Sequence, residues 1–157
     1  MLREGPMIDA RCVTLASEDD FDGWRDAARD LAEADVPPQV VVWRVDGASG
    51  DLFARDVPRR TGATFAVPRG FVELAQGVAC HSDSERFALL YAMLWRLRSN
   101  RNAMEDRADP LVDRLERLAK EVRRDVHKMH AFVRFREVDG RFVAYFEPEH
   151  HIVRHAA

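Results

Sequence analysis

The sequence lacks the features that mark several large classes of protein. Its 157 residues contain no apolar run approaching the roughly 20 residues needed to span a bilayer. The first residues lack the apolar stretch of a signal peptide, so we expect no membrane association and a location in the cytoplasm. A glycine-rich phosphate loop, a nucleophile elbow and a dinucleotide fingerprint are also missing. No reaction is therefore indicated by a motif.

Cysteine is scarce, which excludes another set of sites. Cys12 and Cys80 are far apart and belong to no Cys-x-x-Cys pair. Neither a disulfide framework nor a cysteine-ligated zinc or iron–sulfur site is indicated, and we expect two small buried hydrophobic residues. We predict neither a bound metal nor a cofactor.

The composition is that of one globular domain spanning residues 1–157, with 46% hydrophobic and 32% charged residues. The net charge of -3 conceals an asymmetry. Residues 1–85 carry 9 Lys and Arg against 16 Asp and Glu, whereas residues 86–157 carry 15 against 11. The second half is thus a candidate surface for a polyanion, unless the two halves neutralise each other within one fold.

Patterns in the first half predict a strand, a helix and a second strand. Residues 11–16 and 40–45 have the composition of strands. Between them, Ser17, Asp19 and Asp20 are candidate helix caps, and Pro37-Pro38 ends the helix. Its apolar positions recur every three or four residues: Phe21, Trp24, Ala28 and Leu31. This order predicts a βαβ unit with a parallel strand pair, followed by short strands or loops at 51–58 and 63–68.

The second half is predicted to be more helical. Residues 82–85 suggest a capping box that opens a strongly apolar helix over 84–98. After a polar connection, Asp109 and Pro110 provide an N-cap and a first-turn proline for a helix over 110–129.

Two strands, 131–137 and 141–146, follow and are joined through Asp139-Gly140, a strong signal for a tight hairpin turn. We therefore predict an α+β fold. Its mixed sheet would contain the N-terminal βαβ start and the C-terminal hairpin, packed by about four helices.

The long helix separates apolar from basic residues. One side carries Leu111, Leu115, Leu118, Val122, Val126 and Met129. The other carries Arg114, Arg117, Lys120, Arg123, Arg124, His127 and Lys128. Such a stripe could track phosphates, or it could be a solvated face whose charges pair with acidic residues of the same helix: Asp113, Glu116, Glu121 and Asp125.

The hairpin combines arginine with aromatic residues. Alternation places Phe132, Arg134 and Arg136 on one face, opposite Val143 and Tyr145. This face could stack bases, or a helix could cover it. The other side would face the core: Ala131, Val133, Phe135, Phe142, Ala144 and Phe146.

Histidine and carboxylate residues concentrate where the long helix meets the hairpin. His127, His130, Glu147 and His150 could act as acid, base or metal ligands. The alternative is that these histidines fix loops by hydrogen bonds, since their spacing matches no metal motif.

Long runs of the chain resemble a known family. They are Leu89–Leu97, Asp109-Pro110, Val122–Arg136 and Phe146–Ile152, and Asp20–Trp24 is similar to the family's N-terminal signature. The chain resembles a bacterial domain of unknown function described as a probable DNA metabolism or DNA repair protein. The family-like residues that this resemblance singles out are Arg123, Arg124, His127, Lys128, His130, Arg134, Arg136, Glu147, Pro148, His150 and His151.

The resemblance implies a setting in DNA repair but no established activity. Family members are typically encoded beside a radical-SAM protein or fused ahead of a UdgX-type uracil-DNA glycosylase domain, and this chain is similar to the N-terminal part of such a fusion. The implied partners are single-stranded or damaged DNA and a radical-SAM protein or fused glycosylase-like domain. No glycosylase activity is implied, because the glycosylase's cysteine ligands and catalytic motif are missing from the sequence.

Three hypotheses follow, in order of preference. The first is a DNA-binding accessory domain that uses Arg114, Arg117, Arg123, Arg124, Lys128, Arg134, Arg136 and Tyr145. The second is an enzyme acting on a nucleic-acid lesion through the His/Glu group. The third is a protein adaptor that does not contact DNA.

Overall fold

The computed structural model describes residues 10–45 and 65–155. The elements in these ranges are β1 (Arg11–Leu15), α1 (Phe21–Glu33), β2 (Val41–Val45), α2 (Arg69–Ala79), α3 (Arg86–Ser99), α4 (Pro110–Phe132), β3 (Arg136–Val138) and β4 (Arg141–Val143), with 3-10 turns at Pro38–Val40 and Ala103–Glu105. The α+β class with its four helices is confirmed. The strands form two separate two-stranded sheets, β1-β2 and β3-β4, instead of one mixed sheet.

The N-terminal unit has the predicted βαβ arrangement. β1 and β2 pair in parallel, from Arg11 beside Val41 to Leu15 beside Val45. Asp20 caps α1 by accepting a hydrogen bond from the Gly23 amide at 2.9 Å. Gly23 allows this close capping contact, because an added Cβ would lie 2.2 Å from the Asp20 carboxylate and would displace it.

The predictions for the segment after β2 are only partly covered. Residues 51–58 lie outside the described residues, as do 63 and 64, and residues 65–68 are irregular rather than a strand.

Helix α2 was missed by the sequence analysis. Phe71, Ala75 and Val78 form its buried face, which packs mainly against α4 and α3. These positions have helical spacing, so the periodic signal was present.

Helix α3 lies at the centre of the core. Its Tyr91 is buried, and the hydroxyl donates to the Val36 carbonyl at 2.6 Å. The indole of Trp24 in α1 donates to the Phe87 carbonyl at 3.2 Å. These two hydrogen bonds of Trp24 and Tyr91 therefore tie α1 and its following turn to α3.

The predicted capping box before α3 does not form. Helix α3 begins at Arg86, and its N-cap Glu85 makes no side-chain capping bond. Instead, Asp83 Oδ1 accepts from the Glu85 amide at 2.8 Å. The buried Arg86 fixes this turn by donating to the carbonyls of Ala79 and Asp83.

Helix α4 begins at the predicted Asp109 cap, whose Oδ1 accepts from the Leu111 amide at 2.8 Å. It continues to Phe132, three residues past the predicted end, so Ala131 and Phe132 are helical and do not belong to a strand.

The Asp139-Gly140 hairpin turn is confirmed, with positive φ angles of 51° and 75° at its two residues. The predicted core-facing side of the hairpin is wrong. Phe135 and Phe142 are 68% and 73% exposed, because no described element packs over the hairpin after α4 ends. No described helix is long and apolar enough to cross a bilayer.

Candidate nucleic-acid interface and histidine cluster

The exposed side of α4 carries a cleft lined by cationic and imidazole side chains. Its volume is about 320 Å³. The lining residues are Lys120, Arg123, Arg124, His127 and Lys128. We call this the basic cleft. These five side chains face outward because the opposite side of the helix, including Leu115, Leu118 and Val122, is buried in the two hydrophobic clusters.

The acidic residues of α4 do not neutralise the basic cleft. Glu121 pairs with His81, at 2.8 Å between Oε2 and Nε2, and the buried Asp125 accepts from the His150 amide. Among the described residues no ion pair lies within α4, and Lys120 and Arg123 have none. Lys120 and Arg123 therefore remain available to an anion, whereas Arg124 and Lys128 also line a second cavity with Glu121, Asp125 and Glu149.

Two predicted phosphate-binding residues of α4 are paired with carboxylates. Arg114 contacts Asp83 at 3.1 Å and Glu85 at 2.6 Å, which directs it toward the start of α3. Lys128 contacts the exposed Glu149 at 3.2 Å, and this hydrogen bond lowers the pKa of Glu149. Because both partners of the second pair are solvated, Lys128 can exchange Glu149 for a phosphate at little cost. Arg117 is exposed on the same helix.

The hairpin presents mostly exposed aromatic residues. Tyr145 is 85% exposed, and its hydroxyl donates to Glu147 at 3.2 Å. Arg136 is exposed at the start of β3, and its partner in the register is Val143, as predicted. Arg134 folds back, donating to the carbonyls of Ala131 and Val133 at the end of α4. Arg134 thus caps the helix in this structure.

The four residues predicted as an acid–base or metal group lie in different places. His127 and His130 line a large groove on one side of α4. His150 instead packs against His81, with ring centroids 4.1 Å apart. Glu147 is exposed beside Tyr145.

A second histidine group, which the sequence analysis missed, surrounds His150. His81, Glu121 and His150 offer ligand-type atoms within 4.8 Å of one another. His81 is buried in the turn after α2, so no spacing pattern within one element could have joined it to α4. Burial, followed by the nearby His81, lowers the pKa of His150.

The hydrogen bonds of this histidine cluster do not favour a metal. His81 Nδ1 accepts from the Asp83 amide at 2.8 Å, which places the proton of the neutral ring on Nε2, facing Glu121. A metal bound to Nε2 would replace this proton. The neutral ring would then carry its proton on Nδ1, which could no longer accept from the Asp83 amide. Metal-bound histidines usually donate from their second nitrogen, whereas His81 accepts there. His150 Nδ1 likewise accepts from the Ser82 amide at 3.2 Å. The cluster is a satisfied network that joins three segments of the chain.

These features define an α+β domain with a basic cleft, an exposed aromatic hairpin and a histidine cluster. The cluster fixes residues 144–155, which follow β4 and which we call the C-terminal segment. Residues 84–157 match the family model of a domain of unknown function (DUF4130). The matched part begins just before α3 and includes the basic cleft and the hairpin, whereas His81 and the βαβ unit precede it. No curated protein and no solved structure matches the chain significantly.

Proposed function

We propose that this protein is a nucleic-acid-binding accessory module of DNA repair, which holds single-stranded or damaged DNA for a partner enzyme. The observation that carries the proposal is the basic cleft, whose cations keep no partner within α4. Each phosphate that a Lys or Arg neutralises releases condensed counterions and adds salt-sensitive affinity.

The hairpin favours a single strand over a duplex. Phe135, Phe142 and Tyr145 are exposed close in sequence to the basic end of α4. Unpaired bases can stack on such rings, whereas the bases of a duplex are already stacked on each other. Arg136 and the capping Arg134 would add positive charge beside them.

The setting in DNA repair rests on the resemblance noted above for the sequence. It also supplies the proposed partners, a radical-SAM protein or a uracil-DNA glycosylase-like domain. The hairpin gives this protein a surface on which such a partner could dock, because seven of the eight exposed large hydrophobic residues described lie between positions 132 and 153.

The test is fluorescence-anisotropy binding of a labelled single strand, a duplex and a uracil-containing strand between about 50 and 500 mM salt. If Lys120, Arg123, Arg124 and Lys128 each neutralise one phosphate, the slope of log K against log salt should be about -3 on a single strand. The variant Lys120→Ala/Arg124→Ala should reduce its magnitude by about 1.4 and weaken binding to every sequence.

A matched control removes two arginines outside the basic cleft. Arg101 and Arg107 are exposed and precede α4, whereas the basic cleft lies in the second half of that helix. Arg101→Ala/Arg107→Ala should therefore keep the wild-type slope. Equal losses in both double variants would show that only net charge matters and would contradict the basic cleft as the site.

The exposed hydrophobic hairpin favours a second candidate, a protein adaptor without DNA contact. This function predicts no DNA binding at low salt and co-purification of a partner that Phe135→Ser/Phe142→Ser releases. Both side chains are exposed, so the substitutions should leave the fold intact.

A further inference from the structure

A groove lies next to the basic cleft. It has a volume of about 920 Å³. The groove lies between the start of α1, the end of α2, one side of α4 and the C-terminal segment. Its volume is within the range of small-molecule and cofactor sites.

The floor of this groove is apolar. Cys80, Val122 and Ile152 are buried and form a small hydrophobic cluster of their own. The ring of Phe21, half-buried at the start of α1, is part of the lining. Val126 of α4 is half-buried and also lines the groove, so a flat aromatic ligand would cover Phe21 and Val126 above the buried cluster.

The walls of the groove are polar and of opposite sign. On one wall, Asp19 accepts from Ser17 at 2.9 Å and pairs with His155 at 3.0 Å. Burial raises the pKa of Asp19, but these hydrogen bonds outweigh burial and hold the pKa below its ordinary value, so the carboxylate stays ionised. The other wall contains Arg123 and His127. Such groups can bond to the polar edge of a planar ligand that lies on the floor.

The groove and the basic cleft share residues. Arg123 and His127 line both of them. A DNA strand whose phosphates contact the basic cleft is therefore next to the groove, because both are lined by the same part of α4.

We propose that the groove receives one unpaired nucleobase of a strand held by its phosphates in the basic cleft. This inference rests on the proposed function and adds to it a pocket that distinguishes a base from a bare backbone. The base lies against the half-buried side chains of Phe21 and Val126, above the buried Val122 and Ile152, and its polar edge faces Asp19, Arg123 or His127.

Gly77 allows the groove to be filled without disturbing the core. It lies in α2 and lines the groove, and an added Cβ would meet nothing within 4 Å. Its backbone is helical, so a larger residue is not strained there, and loss of glycine from a helix interior is favourable. Gly77→Trp should fill the groove, and Gly77→Ala is the matched control that leaves it open.

The experiment compares two labelled probes at low salt: a strand of thymidines and a strand of the same length made only of abasic residues. The wild type and Gly77→Ala should bind the thymidine strand about tenfold more tightly, since one stacked base contributes about 1–3 kcal/mol. Gly77→Trp should bind the thymidine strand about tenfold more weakly than Gly77→Ala does, bind the abasic strand equally well and keep the wild-type salt slope. Thermal unfolding checks that each variant is folded.

The outcomes separate the two proposals. Equal, salt-dependent affinity of the wild type for both probes would overturn the base site and leave the DNA-binding function standing. A preference for bases that is undiminished in Gly77→Trp would also overturn it, because the bases would then bind only elsewhere, for example on the hairpin. No salt-dependent binding of either probe would refute the proposed function and the base site together.

Discussion

Replacing Ile152 by alanine should release the C-terminal segment while the domain stays folded. Ile152 is fully buried, but its cluster with Cys80 and Val122 is separate from the main core. The segment is otherwise held by hydrogen bonds, such as those from the His150 amide to Asp125 and from the His151 amide to the Cys80 carbonyl. The free-energy loss should therefore fall on docking of the segment rather than on global unfolding.

The size of the effect follows from the volume removed. Truncating a buried isoleucine to alanine costs about 2–5 kcal/mol. At about 1.4 kcal/mol per factor of ten, the equilibrium constant for opening the segment should rise by roughly 30-fold to several thousand-fold.

Alkylation of Cys80 measures this opening. Its thiol is buried, and burial raises its pKa to about 11, so it should react slowly while the segment is docked. In a Cys12→Ser background, the alkylation rate of Cys80 in Ile152→Ala should rise by roughly 30-fold to several thousand-fold. Val153→Ala, which changes an exposed neighbour, should not alter the rate. An unchanged rate in Ile152→Ala would refute the reasoning, and so would global unfolding of this variant.

Two further predictions concern buried polar groups. Arg86→Met should lower the unfolding free energy by about 3 kcal/mol in urea denaturation, because Arg86 is 3% exposed and its loss leaves the carbonyls of Ala79 and Glu18 without a donor. Arg86→Lys should recover only part of the lost unfolding free energy, since one ammonium group cannot reach all the acceptors that the planar guanidinium bonds. Stability should also fall with pH below the ordinary histidine pKa of 6.5, because the pKa of His150 is lowered in the folded state and the unfolded chain takes up the proton first. His150→Asn should show a smaller drop in Tm between about pH 7.5 and 5.5, and an unchanged drop would contradict this role.

Local signals predicted much of this fold. The helices α1, α3 and α4 have apolar residues at helical spacing, and Asp109 and the Asp139-Gly140 turn are defined by their own side-chain and backbone chemistry. Helix α2 is the exception. It contains Gly70 and Gly77, and glycine disfavours a helix by about 1 kcal/mol relative to alanine. Burial of Phe71, Ala75 and Val78 outweighs that preference, and their helical spacing was the signal for this helix in the sequence.

The histidine cluster shows why the candidate site was harder to predict. His150 was selected because it lies near Glu147 in sequence, but its neighbours in space are His81 and Glu121. His81 follows the helix that was missed, so its position could not be inferred. The separation of the two sheets could not be predicted either, because the residue pattern of β3 and β4 does not indicate whether they pair with β1 and β2.

The same contacts connect the histidine cluster to the basic cleft. The sequence alone left open whether the acidic residues of α4 pair with the cations of that helix or bind other groups. In the fold, Glu121 pairs with His81 and Asp125 accepts from the His150 amide, so both form their bonds with groups outside α4. The C-terminal segment supplies Ile152 to the floor of the groove and His155 to its wall. Its release in Ile152→Ala should therefore weaken the preference for a base, as Gly77→Trp does, and leave the salt-dependent binding to the phosphates.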